Sequence, residues 1–327
     1  MEQRPLGQTG KSVSVIGLGT WQLGADWGEV SEADALAVLE ASTRAGVTFF
    51  DTADVYGDGR SERFIRTFRE RNPEANVFVA TKVGRREAQI PENYSRENLI
   101  AWVDRSRTNL GVDTLDLVQL HCPPTPVYHS QLAFDALDEL VANGAIAAYG
   151  VSVEETAQAL TAMERPGLSS VQIILNPFRL KPLDAVLPAA IRHEVGIIAR
   201  VPLASGLLSG KYTAETTFPE NDHRNYNREG AAFDRGETFS GVDFADGLAA
   251  AQEFARALPE GVSVPQAALR WLIDQPGVTA AIPGARNVRQ AVSNAGAAAL
   301  PTTSPEVDRR VHEIYDRYFR ATVHAQW

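Results

Sequence analysis

Residues 48–56 read Thr48-Phe49-Phe50-Asp51-Thr52-Ala53-Asp54-Val55-Tyr56: a short β-branched and aromatic run that turns acidic at Asp51 and leaves a tyrosine five positions later. A strand that stays apolar almost to its last residues suits a parallel sheet covered on both faces. The same design recurs along the chain. Val15–Thr20, Thr48–Ala53, Val77–Val83, Leu115–His121, Ile146–Val153, Val171–Asn176, Gly196–Leu203 and Val278–Gly284 are eight strand candidates.

Helical periods lie between them. Ser31 with Asp34 forms a capping signal ahead of Ala35, Val38, Leu39 and Ser42, and Gly46 supplies a stop. Leu99, Trp102, Val103, Ser106 and Leu110 trace a second stripe, and Ala133, Ala136, Leu137, Leu140 and Val141 a third. Further helices follow Pro182 and cover about 288–299. Eight strands alternating with helices predict an α/β chain folded as one (β/α)8 TIM barrel over residues 1–327. A doubly wound sheet is the alternative, but it needs fewer strands, and no composition break divides the chain.

Three segments fall outside the eight units. Arg4–Ser14, with the turn Gly7-Gln8-Thr9-Gly10, predicts an N-terminal hairpin plugging one barrel end. The polar insert Thr213–Val242 follows the seventh strand and predicts a lid over the barrel mouth, with Arg224 and Arg228 turned toward cofactor or substrate. An extra C-terminal helix spans about 304–320, ahead of a tail ending at Trp327.

Composition narrows the function. A net charge of −10 without a basic stripe argues against nucleic acid or an anionic membrane as partner. The single cysteine, Cys122, excludes an internal disulfide framework and a cysteine-based zinc site. The N-terminal residues lack the pattern of a secretory signal, no run of 18 apolar residues occurs, and the expectation is a cytoplasmic protein. No metal is expected, because the six histidines are scattered without H-x-H or H-E-x-x-H spacing. Gly10-Lys11-Ser12 has Pro5 where a phosphate loop needs glycine, and Gly17-Leu18-Gly19 has Gln22 where a dinucleotide fingerprint needs its third glycine. No G-x-S-x-G elbow is present, and no segment marks a protein partner.

The informative residues stand at strand ends. Asp51 closes the second strand, with Tyr56 in its loop, Lys82 closes the third and His121 the fourth, so all four project to the face where barrel enzymes keep their chemistry. A free tyrosine, with a pKa of about 10, is a poor acid near neutrality. A neighbouring ammonium lowers that value, so Lys82, held by Asp51, is expected to activate Tyr56. His121 would orient a substrate oxygen. The four side chains can protonate an oxyanion but supply no hydride, so a nicotinamide cofactor is required.

At these residues the chain resembles the aldo-keto reductases over nearly its whole length, in the bacterial long-insert group that is similar also to potassium-channel β subunits. The resemblance rests on Gly17-Leu18-Gly19-Thr20-Trp21, on Phe50-Asp51-Thr52-Ala53-Asp54-Val55-Tyr56-Gly57 with Ser61-Glu62, on Thr81-Lys82, on Leu115–His121, on Pro202–Lys211 and on Ile282-Pro283-Gly284 with Gln290 and Asn294. It implies Asp51, Tyr56, Lys82 and His121 as catalytic residues and NADP(H), with NAD(H) as the alternative, lying across the barrel mouth. The implied cofactor contacts begin with Thr20, Trp21 and Asp51. Ser152 and Gln172 match the positions that hold the carboxamide. Val201, Leu203, Gly206, Ser209 and Lys211 match the pyrophosphate stretch, and Gly284, Ala285, Arg286, Gln290 and Asn294 match the adenosine end. Preference for the 2′-phosphate rests on Arg286, with Arg289 beside it. The implied partner is a small carbonyl or alcohol substrate, against Trp21, Trp27, Tyr56 and His121. Three positions depart from the family pattern: Val153 stands where asparagine is usual, Arg200 where an aromatic ring stacks on the nicotinamide, and Ser293 where an acid is usual. The alternative functions are a nicotinamide-binding regulatory protein with slow turnover and a metal-dependent barrel hydrolase.

Overall fold

The computed structural model describes residues 1–24 and 30–327. A two-stranded antiparallel hairpin, β1 (Gln3–Pro5) and β2 (Ser12–Ser14), precedes eight parallel strands. These are β3 (Leu18–Gly19), β4 (Phe49–Asp51), β5 (Phe78–Val83), β6 (Leu117–His121), β7 (Tyr149–Ser152), β8 (Leu168–Ile174), β9 (Gly196–Arg200) and β10 (Val278–Ala281). Each pairs with the next in chain order. Parallel bridges Ile16–Ala281 and Gly19–Gly284 join the first barrel strand to the last, and Gly17 N–H donates to Ala281 O at 2.8 Å. The sheet therefore closes into the expected barrel.

The first barrel strand is shorter than the expected Val15–Thr20, and its backbone is squeezed between its neighbours. A Cβ on Gly17 would meet the Phe49 ring at 2.9 Å, and one on Gly19 would meet Ile282 O at 2.8 Å. Strand parity does the rest of the positioning. Leu18, Phe50, Val79, Val118, Leu120 and Val151 face outward into the layer of helices, while Phe49, Ala80, Leu117, Ala148, Ile198 and Ala280 form an inner apolar cluster. Above that cluster the inward positions become polar: Asp51, Lys82, Gln119 and Arg200 stand two residues beyond Phe49, Ala80, Leu117 and Ile198, Ser152 stands four beyond Ala148, and Gln172 pairs with Ser152 on the neighbouring strand. An apolar floor thus carries a polar upper layer.

The hairpin seals the floor. Leu6 is fully buried in the inner cluster, and Gly7 packs so tightly that a Cβ would lie 2.0 Å from Ser169 O. Gly10 turns the hairpin at φ 68°. The stripe on the helix Arg96–Leu110 is buried as predicted. On Gln131–Ala142, Val141 is exposed instead, and Phe134 packs against Tyr149 in its place. The last α-helix is Pro305–Tyr318, and a π-helical turn, Arg320–His324, follows it. Among the described residues no helix is long and apolar enough to cross a membrane.

Candidate active site

Asp51, Lys82 and Tyr56 meet at the top of the inner layer. Lys82 Nζ donates to Asp51 Oδ1 at 2.6 Å, to Thr52 O at 2.8 Å and to the Tyr56 hydroxyl at 3.2 Å. Asp51 Oδ2 accepts from Gln172 Nε2 at 2.7 Å and Gln119 Nε2 at 3.3 Å. His121 stands edge-on to Tyr56, with centroids 5.9 Å apart, and Trp21 stacks on Tyr56 at 6.3 Å. The Tyr56 loop is braced from behind by hydroxyls: Thr52 Oγ1 donates to Ser61 Oγ, which donates to Thr20 Oγ1, which donates to Asp51 O.

Burial reverses one electrostatic expectation. Lys82 does pull the Tyr56 hydroxyl down, but removal from water outweighs it, and the phenol is held above its usual value of 10. Burial also opposes the Lys82 ammonium, yet Asp51 and Tyr56 overcome it and raise the lysine. His121 is kept neutral by burial and by the positive charges of Arg85, Lys82 and Arg200. Its Nδ1 is buried with no hydrogen-bond partner.

These groups open onto a cleft of about 790 Å³ that runs across the barrel mouth. Trp21, Asp51, Tyr56, His121, Ser152, Gln172 and Arg200 line one end, and Lys211, Gly284, Ala285, Arg286, Gln290 and Asn294 the other. Val201, Leu203, Gly206 and Ser209 line the stretch between them. That stretch is a strained turn with Val201, Ala204, Ser205 and Gly206 all at positive φ, a cost for a β-branched Val201 in particular. At the far end, Asn287 caps the helix Val288–Gly296, Gln290 Oε1 accepts from Arg286 N at 2.8 Å, and Asn294 Nδ2 donates to Gly284 O at 3.1 Å.

One predicted contact is not brought to this wall. Thr20 has outward parity, is fully buried, and uses its hydroxyl in the chain behind the tyrosine loop. Trp27 lies outside the described residues. Arg200 reaches the cleft, but its charge is not free for a phosphate: Nη2 lies 2.6 Å from Glu154 Oε2 and Nη1 3.6 Å from Glu237 Oε1. Cys122 sits beside it, its thiol pushed up to about 12 by burial.

The insert is a packed strap. Asp222, His223, Asn227 and Thr238–Gly241 are buried. His223 and Phe233 pack on Trp21 at centroid distances of 5.0 and 6.2 Å, and Arg224 lines the cleft near Arg286. Arg228 instead covers Phe244, 5.3 Å from its ring, and does not line the cleft. Sequence reasoning missed Gln119, Arg85, Glu154 and Glu237. The one signal available for Gln119 was a polar residue at inward parity. Cys122, Glu154 and Glu237 bring donor atoms close enough for a metal, yet both carboxylates are already occupied by Arg85 and Arg200, which does not suit a cation.

A closed parallel barrel with an Asp–Lys–Tyr–His cluster above an elongated cleft defines the class of barrel oxidoreductases. The Aldo/keto reductase family matches residues 15–316, and the chain belongs to that family. It is similar to the aldo-keto reductase YhdN of Bacillus subtilis, at 32% identity covering 89% of this chain and 86% of that one. It is also similar to the aldo-keto reductase yakc [NADP(+)] of Schizosaccharomyces pombe, at 28% identity with 93% and 89% covered. Among solved structures, the glycerol dehydrogenase AKR11B4 of Gluconobacter oxydans superposes with a TM-score of 0.77, at 30% identity, over 97% of this chain and 96% of that one.

Proposed function

We propose that this oxidoreductase uses NADP(H) to interconvert a small carbonyl compound (an aldehyde, ketone or sugar) and its alcohol, with Tyr56 as general acid and base, residues 1–327 acting as one barrel domain. The observation that carries the reading is the Tyr56 hydroxyl, 3.2 Å from Lys82 Nζ and facing the same cleft as His121.

The cleft suits a nicotinamide dinucleotide on its own chemistry. It is elongated, cationic at one end through Lys211, Arg286 and Arg289, and polar at the other through Ser152 and Gln172. The orphaned His121 Nδ1 marks a polar position that protein atoms leave unfilled. Bound NADPH would supply the hydride that the side chains lack. The carbonyl oxygen would accept a hydrogen bond from neutral His121 and a proton from Tyr56. Lys82 stabilises the resulting phenolate, and Asp51, gripped by both glutamines, keeps the ammonium in place. Trp21, His223 and Phe233 close the apolar side against water. The relative named for NADP(+) supports the choice of cofactor.

Fluorescence titration with NADPH and NADH, followed by turnover on an aldehyde and ketone panel, tests the proposal. Binding of NADPH with turnover supports it. Absence of binding to either cofactor removes it, and tight binding without turnover on any carbonyl favours a regulatory role.

A further inference from the structure

Four charged side chains meet at the tyrosine end of the cleft, and their positions fit a role beyond tying loops together. Arg200 ends β9 at inward parity and lines the cleft with Ser152 and Gln172. Its Nη2 lies 3.6 Å from Cys122 Sγ, which places the guanidinium one residue from His121. A ring delivering hydride to a substrate held by Tyr56 and His121 therefore lies against this wall. An uncompensated guanidinium there would oppose the positive charge that the nicotinamide gains on oxidation.

The charge is compensated from two elements. Glu154, in the loop after β7, meets Arg200 Nη2 at 2.6 Å. Glu237, on the insert, lies 3.6 Å from Arg200 Nη1 and 2.9 Å from Arg85 Nη2, and Arg85 Nη2 is also 3.3 Å from Glu154. Arg85 in turn donates from Nε to His121 O at 3.2 Å. A further guanidinium, that of Arg179, is lowered by burial and by Arg200 and is supported by both Asp234 and Glu154, with its Nη2 donating to Glu154 O at 3.1 Å. Glu237 is held in place through the backbone, with Ser205 Oγ donating to Glu237 O at 3.1 Å and Phe239 N donating to Ser205 Oγ at 3.0 Å.

We infer that Glu154 and Glu237 are positioning residues that neutralise Arg200 and so set the relative affinity of the site for oxidised and reduced nicotinamide. The inference rests on the cofactor reading above and explains how arginine is tolerated at a position beside the reacting ring. It also assigns the insert a chemical task, since one of the two compensating carboxylates belongs to it.

The test is the ratio of dissociation constants, Kd(NADP+) over Kd(NADPH), measured by tryptophan-fluorescence titration. E237Q and E154Q each keep the side-chain shape and remove one carboxylate, and the titration is run at pH 8.5 because burial and Glu237 lift the Glu154 carboxyl to about 7; each variant is expected to raise the ratio at least fivefold. R200Q is expected to lower it by a similar factor. A merely structural contact would weaken both cofactors together and leave the ratio unchanged in all three variants, which overturns the inference. The two carboxylates stand on different elements, so a folded E154Q decides the matter if E237Q does not fold. Wild-type protein that binds neither cofactor overturns the cofactor reading and this inference with it. Wild-type protein that binds both, with variants of unaltered ratio, overturns this inference alone.

Discussion

The side-chain amide of Gln172 donates to Asp51 Oδ2 across 2.7 Å, tying β8 to β4 through the interior of the barrel. With Gln119 on the same oxygen and Lys82 on the other, three donors hold the Asp51 carboxylate. The consequence is mechanical as well as electrostatic: the ammonium behind Tyr56 cannot shift without breaking this grip. Asp51→Asn leaves a buried ammonium without its counter-charge, a change that typically costs about 3–5 kcal/mol. Urea unfolding should show a loss of that order, and a loss under about 1 kcal/mol would mean that the pair contributes little. The pH dependence has a definite sign. Lys82 is raised above its ordinary value in the folded state, so its contribution is complete below the unfolded lysine range near 10.4 and is lost only as pH climbs through the folded value. Stability conferred by Asp51 should therefore be flat from neutrality to pH 9.

Tyr56→Phe should abolish turnover while leaving the dissociation constant for NADPH within about twofold, because the ring still stacks on Trp21 and only the hydroxyl is lost. The wild-type pH profile is equally specific. Burial holds the Tyr56 phenol above 10 despite Lys82, and it keeps His121 neutral. Carbonyl reduction should thus show no descending limb between pH 6 and 9 from either group. A limb with an apparent pKa below 8 would indicate that Lys82 prevails over burial once the site is filled.

What could be read from the chain and what could not divide along physical lines. Asp51, Lys82 and His121 were legible because a charged residue ending an apolar strand is costly unless it serves a shared site, and because strand ends in a parallel barrel share one face. The barrel followed from the eight repeats. Thr20 was misplaced because its motif carries no side-chain direction, whereas strand parity turns Gly19 inward and Thr20 away. Lowering of the Tyr56 pKa was expected from its partner alone, and burial is invisible in a spacing. Glu237 escaped because its ionic partners, Arg85 and Arg200, are separated from it by 152 residues in one case and by a strained turn in the other. The insert also has no period from which a buried face could be deduced.

Arg286 stands at the end of the cleft remote from Tyr56, with Arg224 of the insert close enough for the two charges to repel. Burial acts first, and that repulsion adds to it in lowering the Arg286 guanidinium, which an anion placed between the two would relieve. Arg286→Ala should weaken NADPH by roughly 10- to 100-fold, the range for a charge-assisted hydrogen bond, and NADH by less than about threefold. Titration of both cofactors checks this, and equal losses would count against a 2′-phosphate contact at Arg286.

Trp327 is the pin of the strap. The Arg179 guanidinium carbon lies 4.0 Å from the centre of its ring, and the indole N–H donates to Asp234 at 3.0 Å. Gly236 and Gly241 of the insert lie against this stack so closely that a Cβ on Gly241 would be 2.3 Å from the Trp327 ring, and one on Gly236 would be 2.4 Å from Arg179. The two glycines flank Glu237, so the packing of an aromatic residue in the tail fixes a carboxylate at the cleft. Trp327→Ala should therefore act in two places. Loss of a buried indole typically costs about 3–5 kcal/mol, which thermal or urea unfolding would register. Residues 213–242 should also become the first site of limited proteolysis. Trp327→Phe keeps the ring over Arg179 but cannot donate to Asp234, so it should recover most of the stability. If the alanine variant matched wild type in both unfolding and cleavage pattern, the strap would be held by its other contacts, the ion pairs to Arg85 and Arg200 and the packing of His223 and Phe233 on Trp21.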